Sequence, residues 1–214
     1  MVISRERGEN GESKISILRK QVRTLFSDIQ EGLFQFYEES DDYVTLKLPV
    51  SKAQTLTETK LENYVDSHKI EQLQIRKAGK EDIPIINDIY NKSWKESHLP
   101  MKKVTEELFL EIFEDGDTKF LIAIYESHPV GFILMESSKT DKEIGLISGL
   151  AILPEYQNRG LGKYLALATW NYFKEQDIKE LRCEVYKDNE RAINFIKSLG
   201  FEEYGTGGEL YTLK

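Results

Sequence analysis

The sequence predicts an α/β (α+β) fold, a mixed sheet flanked by helices, and three observations carry that expectation. The apolar run Leu150-Ala151-Ile152-Leu153 leads through a glycine-punctuated turn into a helix that opens near Gly162, so strand, turn and helix follow one another at once. The strands around 146–153 and 181–186 bracket that helix, which makes them parallel neighbours joined by a right-handed crossover. From residue 73 onward the remaining segments alternate between short strand-like runs and helical stretches.

In chain order, residues 1–13 are charged and glycine-containing and read as a disordered tail. Over 14–40, Ile15, Leu18, Val22, Leu25, Ile29, Leu33, Phe36 and Tyr37 recur at helical spacing, which predicts an amphipathic helix with a face to cover. Residues 43–48 alternate with β-branched and aromatic members before Pro49 and read as a strand, and 56–70 as a more polar helix. Residues 14–72 thus form an N-terminal helix-strand-helix extension. It is too small for a good core of its own, so docking on the main domain or on a second copy of the chain, as a homodimer, is expected. A packing role is preferred there over one in acceptor specificity or oligomerisation. The main domain, 73–214, begins with a strand over 73–78, helices over 81–95 and 103–114, and strands over 118–126, 129–138 and 143–153. A helix over 162–176, a strand over 180–186, a helix over 189–199 and closing strands over 201–206 and 209–214 complete it.

Composition narrows the function classes. With 214 residues, 40% of them hydrophobic, the chain can build one sizeable domain plus an appendage. No run reaches the ~18 apolar residues of a membrane span, and the first residues lack the apolar core of a signal peptide, so a cytoplasmic protein without membrane contact is expected. The net charge of −8 argues against nucleic acid and suits a cationic partner. The single cysteine, Cys183, shares an apolar face with Leu181 and Val185 and reads as core. His68, His98 and His128 show no metal-ligand spacing, and no metal is expected.

The turn after Leu153 is the chemical centre of the sequence. Gly160 and Gly162 let successive N–H groups converge on an anion, and the helix that follows adds its unpaired donors and positive dipole end. The ligand is therefore phosphorylated. Tyr164 stands where a Walker A loop needs Ser or Thr, and Leu165 where a dinucleotide fingerprint needs a small residue, so nucleoside triphosphate and NAD are disfavoured.

Gln157-x-x-Gly160-x-Gly162 resembles the Gln/Arg-x-x-Gly-x-Gly/Ala signature of the GNAT superfamily of acyl-CoA-dependent N-acyltransferases. Leu181-Arg182-Cys183-Glu184-Val185-Tyr186 followed by Asn189-x-x-Ala192-Ile193-x-Phe195 and Leu199-Gly200-Phe201 is similar to that family's closing motif. Residues 73–83 resemble its first strand and helix start, and 130–134 its third strand, so the likeness covers about 73–214. It implies acetyl-CoA as acyl donor, with Gln157, Asn158, Arg159, Gly160, Leu161, Gly162 and Lys163 at the pyrophosphate and Asn189 touching CoA. It also implies a centrally splayed sheet that admits the pantetheine arm along the backbone of Leu150, Ala151 and Ile152. Asn189, at a predicted helix start, is equally placed to be an N-cap.

An amine of pKa ~10.4 must lose a proton before it attacks a thioester, so the chemistry needs a base or a water wire, and an oxyanion donor that a backbone N–H can supply. Glu184 is the candidate base. Its five-residue spacing to Asn189 looks like that of ribosomal-protein N-terminal alanine acetyltransferases, and it shares a strand face with Arg182 and Tyr186. A solvated glutamate paired with Arg182 is the plainer alternative. Two departures stand out. Ile196 occupies the position at which the family usually has a tyrosine to protonate the leaving thiolate, leaving Tyr186, Tyr204 or water as candidates. Ser148 and Gly149 stand where many members carry an acidic residue. Trp94, His98 and Met101 fall in a segment that often lines the acceptor pocket, although solvation is the plainer role for that histidine. The resulting expectation is an N-acetyltransferase acting on a primary amine (a protein N-terminus, a lysine or a cationic small molecule) by direct attack in a ternary complex. A non-catalytic acyl-CoA-binding regulatory module is the alternative.

Overall fold

Seven strands form one mixed sheet in the order β2-β3-β4-β5-β6-β1-β7, seen in a computed structural model that describes residues 43–95, 104–114, 116–138 and 141–206. The expected tail, the amphipathic helix over 14–40, His98, Met101 and the closing strand over 209–214 lie outside the described residues. In chain order the elements are β1 (Tyr43–Pro49), a helical run from Val50 to Thr57 leading into α1 (Glu58–Ser67), β2 (Leu73–Lys77), α2 (Ile83–Lys95) and α3 (Glu106–Glu114). There follow β3 (Thr118–Tyr125), β4 (His128–Ser137), β5 (Ile144–Ile152), α4 (Leu161–Phe173), β6 (Glu180–Tyr186), α5 (Glu190–Ser198) and β7 (Glu202–Thr206). The mixed sheet with helices on it is the predicted class. Among the described residues no helix is long and apolar enough to cross a membrane.

The sheet separates two apolar layers. On one side Leu165, Trp170 and Phe173 of α4 pack with Leu46, Leu48, Leu181, Cys183 and Phe201; on the other, Ile83, Ile86 and Ile89 of α2 and Phe109 of α3 pack with Ile122 and Phe132. Period-two alternation assigns each strand residue to a layer, so Leu181, Cys183 and Val185 face α4 while Arg182, Glu184 and Tyr186 face the α2 and α3 side.

Two features of this sheet position the site. First, β5 and β6 are parallel as expected, but their pairing runs only from Ile144↔Glu180 to Ile147↔Cys183. Beyond it the strands part, and a bulge opposite Leu134 and Met135 bends β5 at that point. Second, β6 is held on its other side by β1 over its whole length, from Tyr43↔Tyr186 to Pro49↔Glu180, and β7 pairs with the far edge of β1. Pattern reading finds this strand but not its place. It lies between two strands of the main domain, because the alternating Leu46 and Leu48 bury against α4 while Thr45 lies wholly buried opposite Glu184.

The helix predicted over 56–70 starts earlier and ends sooner. The Tyr164 hydroxyl donates to the carbonyl of His68 at 2.7 Å and accepts the N–H of Ile70 at 3.0 Å, turning the chain just after Ser67 and tying α1 to α4. The start of α2 is fixed by Asp82, which accepts both Arg76 terminal nitrogens, at 2.7 and 2.9 Å, and the Gly79 N–H at 2.8 Å. The Arg76 guanidinium holds the Asp82 carboxyl below its ordinary range, against the opposing effect of burial, and the Gly79 N–H adds to the lowering. A depressed carboxylate contributes stability above its unfolded pKa and loses it as the pH falls through the folded value. Asp82→Asn is therefore expected to cost about 2 kcal/mol in urea unfolding at pH 7, and the gap to wild type to narrow well below pH 4.

Candidate active site

The loop from β5 to α4 is built by side chains that reach back onto backbone. The Gln157 amide donates to the Ile152 carbonyl at 2.7 Å, and its oxygen accepts Arg191 of α5 at 2.7 Å. Arg191 also donates to the Asn158 amide oxygen at 2.9 Å, so one guanidinium clamps both residues from across the loop. Asn158 and Gly160 have left-handed backbone, with φ of 61° and 84°, which turns the chain into the first turn of α4. A side chain at Gly160 would also strike the Tyr64 hydroxyl, and one at Gly162 would stand 3.0 Å from the Phe195 ring. The two glycines thus serve different needs, a conformation at Gly160 and a close approach at Gly162.

A cavity of about 690 Å³ opens over this loop, lined by Gln157, Asn158, Gly160, Gly162, Lys163 and Arg191 among others. The positive end of α4 faces this cavity, with the Lys163 N–H turned back onto the Gly160 carbonyl at 2.9 Å and the side chains of Lys163 and Arg191 adding charge at its wall. Lys163 Nζ lies 3.6 Å from the centroid of the Tyr64 ring, which fixes it by cation–π attraction at the rim. Leu161 is buried, so only its backbone serves the loop. Arg159 does not line this cavity; its guanidinium lies 5.2 Å from the Tyr156 ring centroid.

Where β5 and β6 part, a second cavity of about 240 Å³ begins, sharing Leu150, Asn189, Ala192 and Phe195 with the first. The Leu153 N–H bonds to the Val130 carbonyl, so alternation along the antiparallel pair turns the backbone of Ala151 to β4 and that of Leu150 and Ile152 to the open edge. The Ile152 carbonyl is taken by Gln157, which leaves Leu150 as the strand's most available backbone pair. Asn189 caps α5, its side-chain oxygen accepting the Ala192 N–H at 3.1 Å, and also lines both cavities.

Glu184 and Tyr186 line the second cavity, as do Glu136 of β4 and Ser148 of β5, whose hydroxyl donates to the Glu136 carboxylate. Tyr186 meets Tyr43 edge to face at 5.8 Å, so β1 contributes a wall as well as a neighbour. Ile196 lies on the opposite wall. Tyr204 lines neither cavity; its ring stands 5.0 Å from Lys47 Nζ and 5.3 Å from the Arg182 guanidinium. Cys183 is buried, and burial, with Glu184 nearby, pushes its thiol far above the usual range, which suits core and not a nucleophile.

Four residues here escape sequence reading. Tyr64 and Arg191 look like ordinary members of polar helices, Tyr43 like a strand start, and Glu136 like the solvated end of an apolar strand. Only Glu136 leaves a signal: a carboxylate at the end of the run 130–135, one strand from the position where an acidic residue is missing at Ser148.

Comparison with known proteins gives a consistent picture. The model of the acetyltransferase (GNAT) family matches residues 83–201. The chain is 27% identical over 157 residues to a spermidine N(1)-acetyltransferase of Thermoplasma acidophilum, covering 66% of this chain and 96% of that one. It is 25% identical over 167 residues to an N-alpha-acetyltransferase of Sulfurisphaera tokodaii, covering 70% and 96%. Among solved structures, the PaiA N-acetyltransferase of Thermoplasma acidophilum in complex with coenzyme A superposes with a TM-score of 0.57 at 24% identity, covering 64% of this chain and 93% of that one.

Proposed function

The chain belongs to the acetyltransferase (GNAT) family, and from that membership we propose that it moves an acetyl group from acetyl-CoA to a cationic primary amine by direct attack within a ternary complex. The observation that carries this reading is the junction of the two cavities: an anion-binding loop opens, past Leu150 and Asn189, onto a gap between strands lined by carboxylates. The pyrophosphate would lie on the N–H groups after Gly160, with Lys163 and Arg191 beside it, and the pantetheine along the open edge of β5.

The thioester then reaches the gap beside Glu184. An ammonium entering from the α2 and α3 side meets Glu184 and Glu136 on that face, and Glu184 takes its proton. The neutral amine forms the C–N bond, an N–H of the open β5 edge stabilises the oxyanion, and collapse breaks the C–S bond while the nitrogen's second proton passes through Tyr186 or water to the leaving sulfur. A CoA thiolate has a pKa near that of cysteine, ~8.5, and leaves with modest help from Tyr186 or water. This accounts for activity with Ile196 in the wall. The face's two carboxylates and the net charge of −8 support a positively charged acceptor, and the similar proteins that act on spermidine and on N-terminal amines are of that class. The side-chain hydrogen bond that Ser148 gives to Glu136 supports Glu136 as a second acceptor-facing carboxylate.

Calorimetric titration with CoA and acetyl-CoA, beside a thiol-release assay against spermidine and N-terminal peptides, tests the reading. Binding of both ligands with release dependent on one amine class is expected. The absence of binding to either ligand would overturn it.

A further inference from the structure

The cavity beside Glu184 extends further than an acetyl group requires, and its deep end has its own character. There it is walled by Thr57 and Leu61 from the N-terminal helices, Ala166 and Trp170 of α4, Leu199 and Phe201. None of the six lines the cavity over the phosphate loop. The two threonine hydroxyls at that end are satisfied internally, since Thr57 donates to the Leu199 carbonyl and Thr169 to the Leu165 carbonyl, each at 2.8 Å. A space so lined offers water few partners and favours an apolar occupant. The deep end lies in the layer of α4 and α5, on the side of the sheet away from Glu184 and the acceptor face. Cys183 and Ile196 line the cavity within that same layer, the side on which the loop leads into α4, so what fills it comes from the donor, beyond the sulfur, and not from the amine. The isoleucine that deprives the site of a phenol makes this wall apolar.

We propose that the deep end is an acyl pocket and that the enzyme's preferred donor carries a straight acyl chain longer than acetyl. This rests on the acyl-CoA reading given above and refines it. The transfer is unchanged in balance: the C–N bond to the amine forms, the C–S bond breaks, one proton of the ammonium goes to Glu184 and the second, through Tyr186 or water, to the sulfur of the leaving CoA. The cavity of about 240 Å³ is shared with the acceptor side lined by Glu136 and Glu184, so the deep end has room for a short chain of a few methylenes and not for a long one. Each buried methylene is worth roughly a fourfold gain in affinity.

The test is a calorimetric series of CoA, acetyl-, butanoyl-, hexanoyl- and octanoyl-CoA with wild type and Ala166→Phe, each checked by thermal melting. Ala166 is half-buried and faces the space, so a ring placed there fills it without opening the core. Wild type is expected to bind more tightly with each added pair of carbons up to about hexanoyl, by roughly fifteenfold per pair. Ala166→Phe should bind acetyl-CoA as wild type does and lose the increments. Should that variant not fold, tryptophan emission of the wild type serves instead. Trp170 is one of only two tryptophans, and its signal should shift with hexanoyl-CoA and not with acetyl-CoA. Equal affinity along the series with acetyl-CoA still bound, increments that survive Ala166→Phe, or emission indifferent to chain length would overturn the acyl pocket and leave the acetyltransferase reading standing. No binding of CoA or acetyl-CoA would overturn that reading itself.

Discussion

Glu184→Gln is expected to lower kcat/KM for acetyl transfer by about 10²–10⁴ while leaving the affinity for CoA unchanged. The substitution keeps the volume of the side chain and the pairing of β6 with β1, where Glu184 stands opposite the buried Thr45, so the fold has no cause to respond. The residue lies on the strand face opposite Cys183 and does not line the cavity over the phosphate loop, which separates its effect from ligand binding. Glu136→Gln, measured in parallel, decides between the two carboxylates of the cavity. A small effect there beside a large one at Glu184 assigns the base; the reverse would transfer the role to Glu136, acting with the hydroxyl that Ser148 donates to it.

Gly160→Val is expected to weaken acetyl-CoA binding by about a hundredfold or more. Gly160 sits at φ of 84°, where a β-carbon costs about 1–2 kcal/mol and a β-branched one more. The new side chain also meets the Tyr64 hydroxyl, so either the loop shifts or α1 gives way, and with α1 goes the ring that holds Lys163. Both outcomes scatter the N–H groups of the first turn of α4. Gly116→Ala is the matched control, because a β-carbon there meets nothing within 4 Å. A melting temperature near wild type, together with lost heat on titration, separates a damaged site from a damaged fold. Unchanged binding would show that the loop does not receive the phosphates.

Much of this site is legible in the sequence because its parts are local. Residues 157–163 carry their own turn chemistry, and a glycine on each side of the helix start, Gly160 before it and Gly162 within its first turn, is a pattern read with no help from the rest of the chain. Glu184 is legible for a similar reason: alternation along 181–186 puts it on the face opposite Cys183 whatever the strand pairs with. What a local pattern omits is the partner. Residues 43–48 read as a strand, yet nothing in them says that they lie between β6 and β7. That depends on β5 taking one side of β6 and leaving its other side bare along the whole strand. Tyr64 and Arg191 become site residues for the same reason. Each is an unremarked member of a helix until Tyr164 ties α1 to α4 and Arg191 reaches Gln157 and Asn158.

The placement of β1 also sets the order in which the molecule can be made. During synthesis this strand leaves the ribosome early, with both flanks bare, and must wait until nearly the whole chain has followed before β6 and β7 exist to receive it. The bond from Thr57 to the Leu199 carbonyl closes a separation of 142 residues, a loop among the slowest kinds to form. Until β1 docks, the side of β6 away from β5 is an open edge and Glu184 has no Thr45 opposite it. A nascent chain whose β1 has not docked therefore lacks the wall of the gap that Tyr43 supplies.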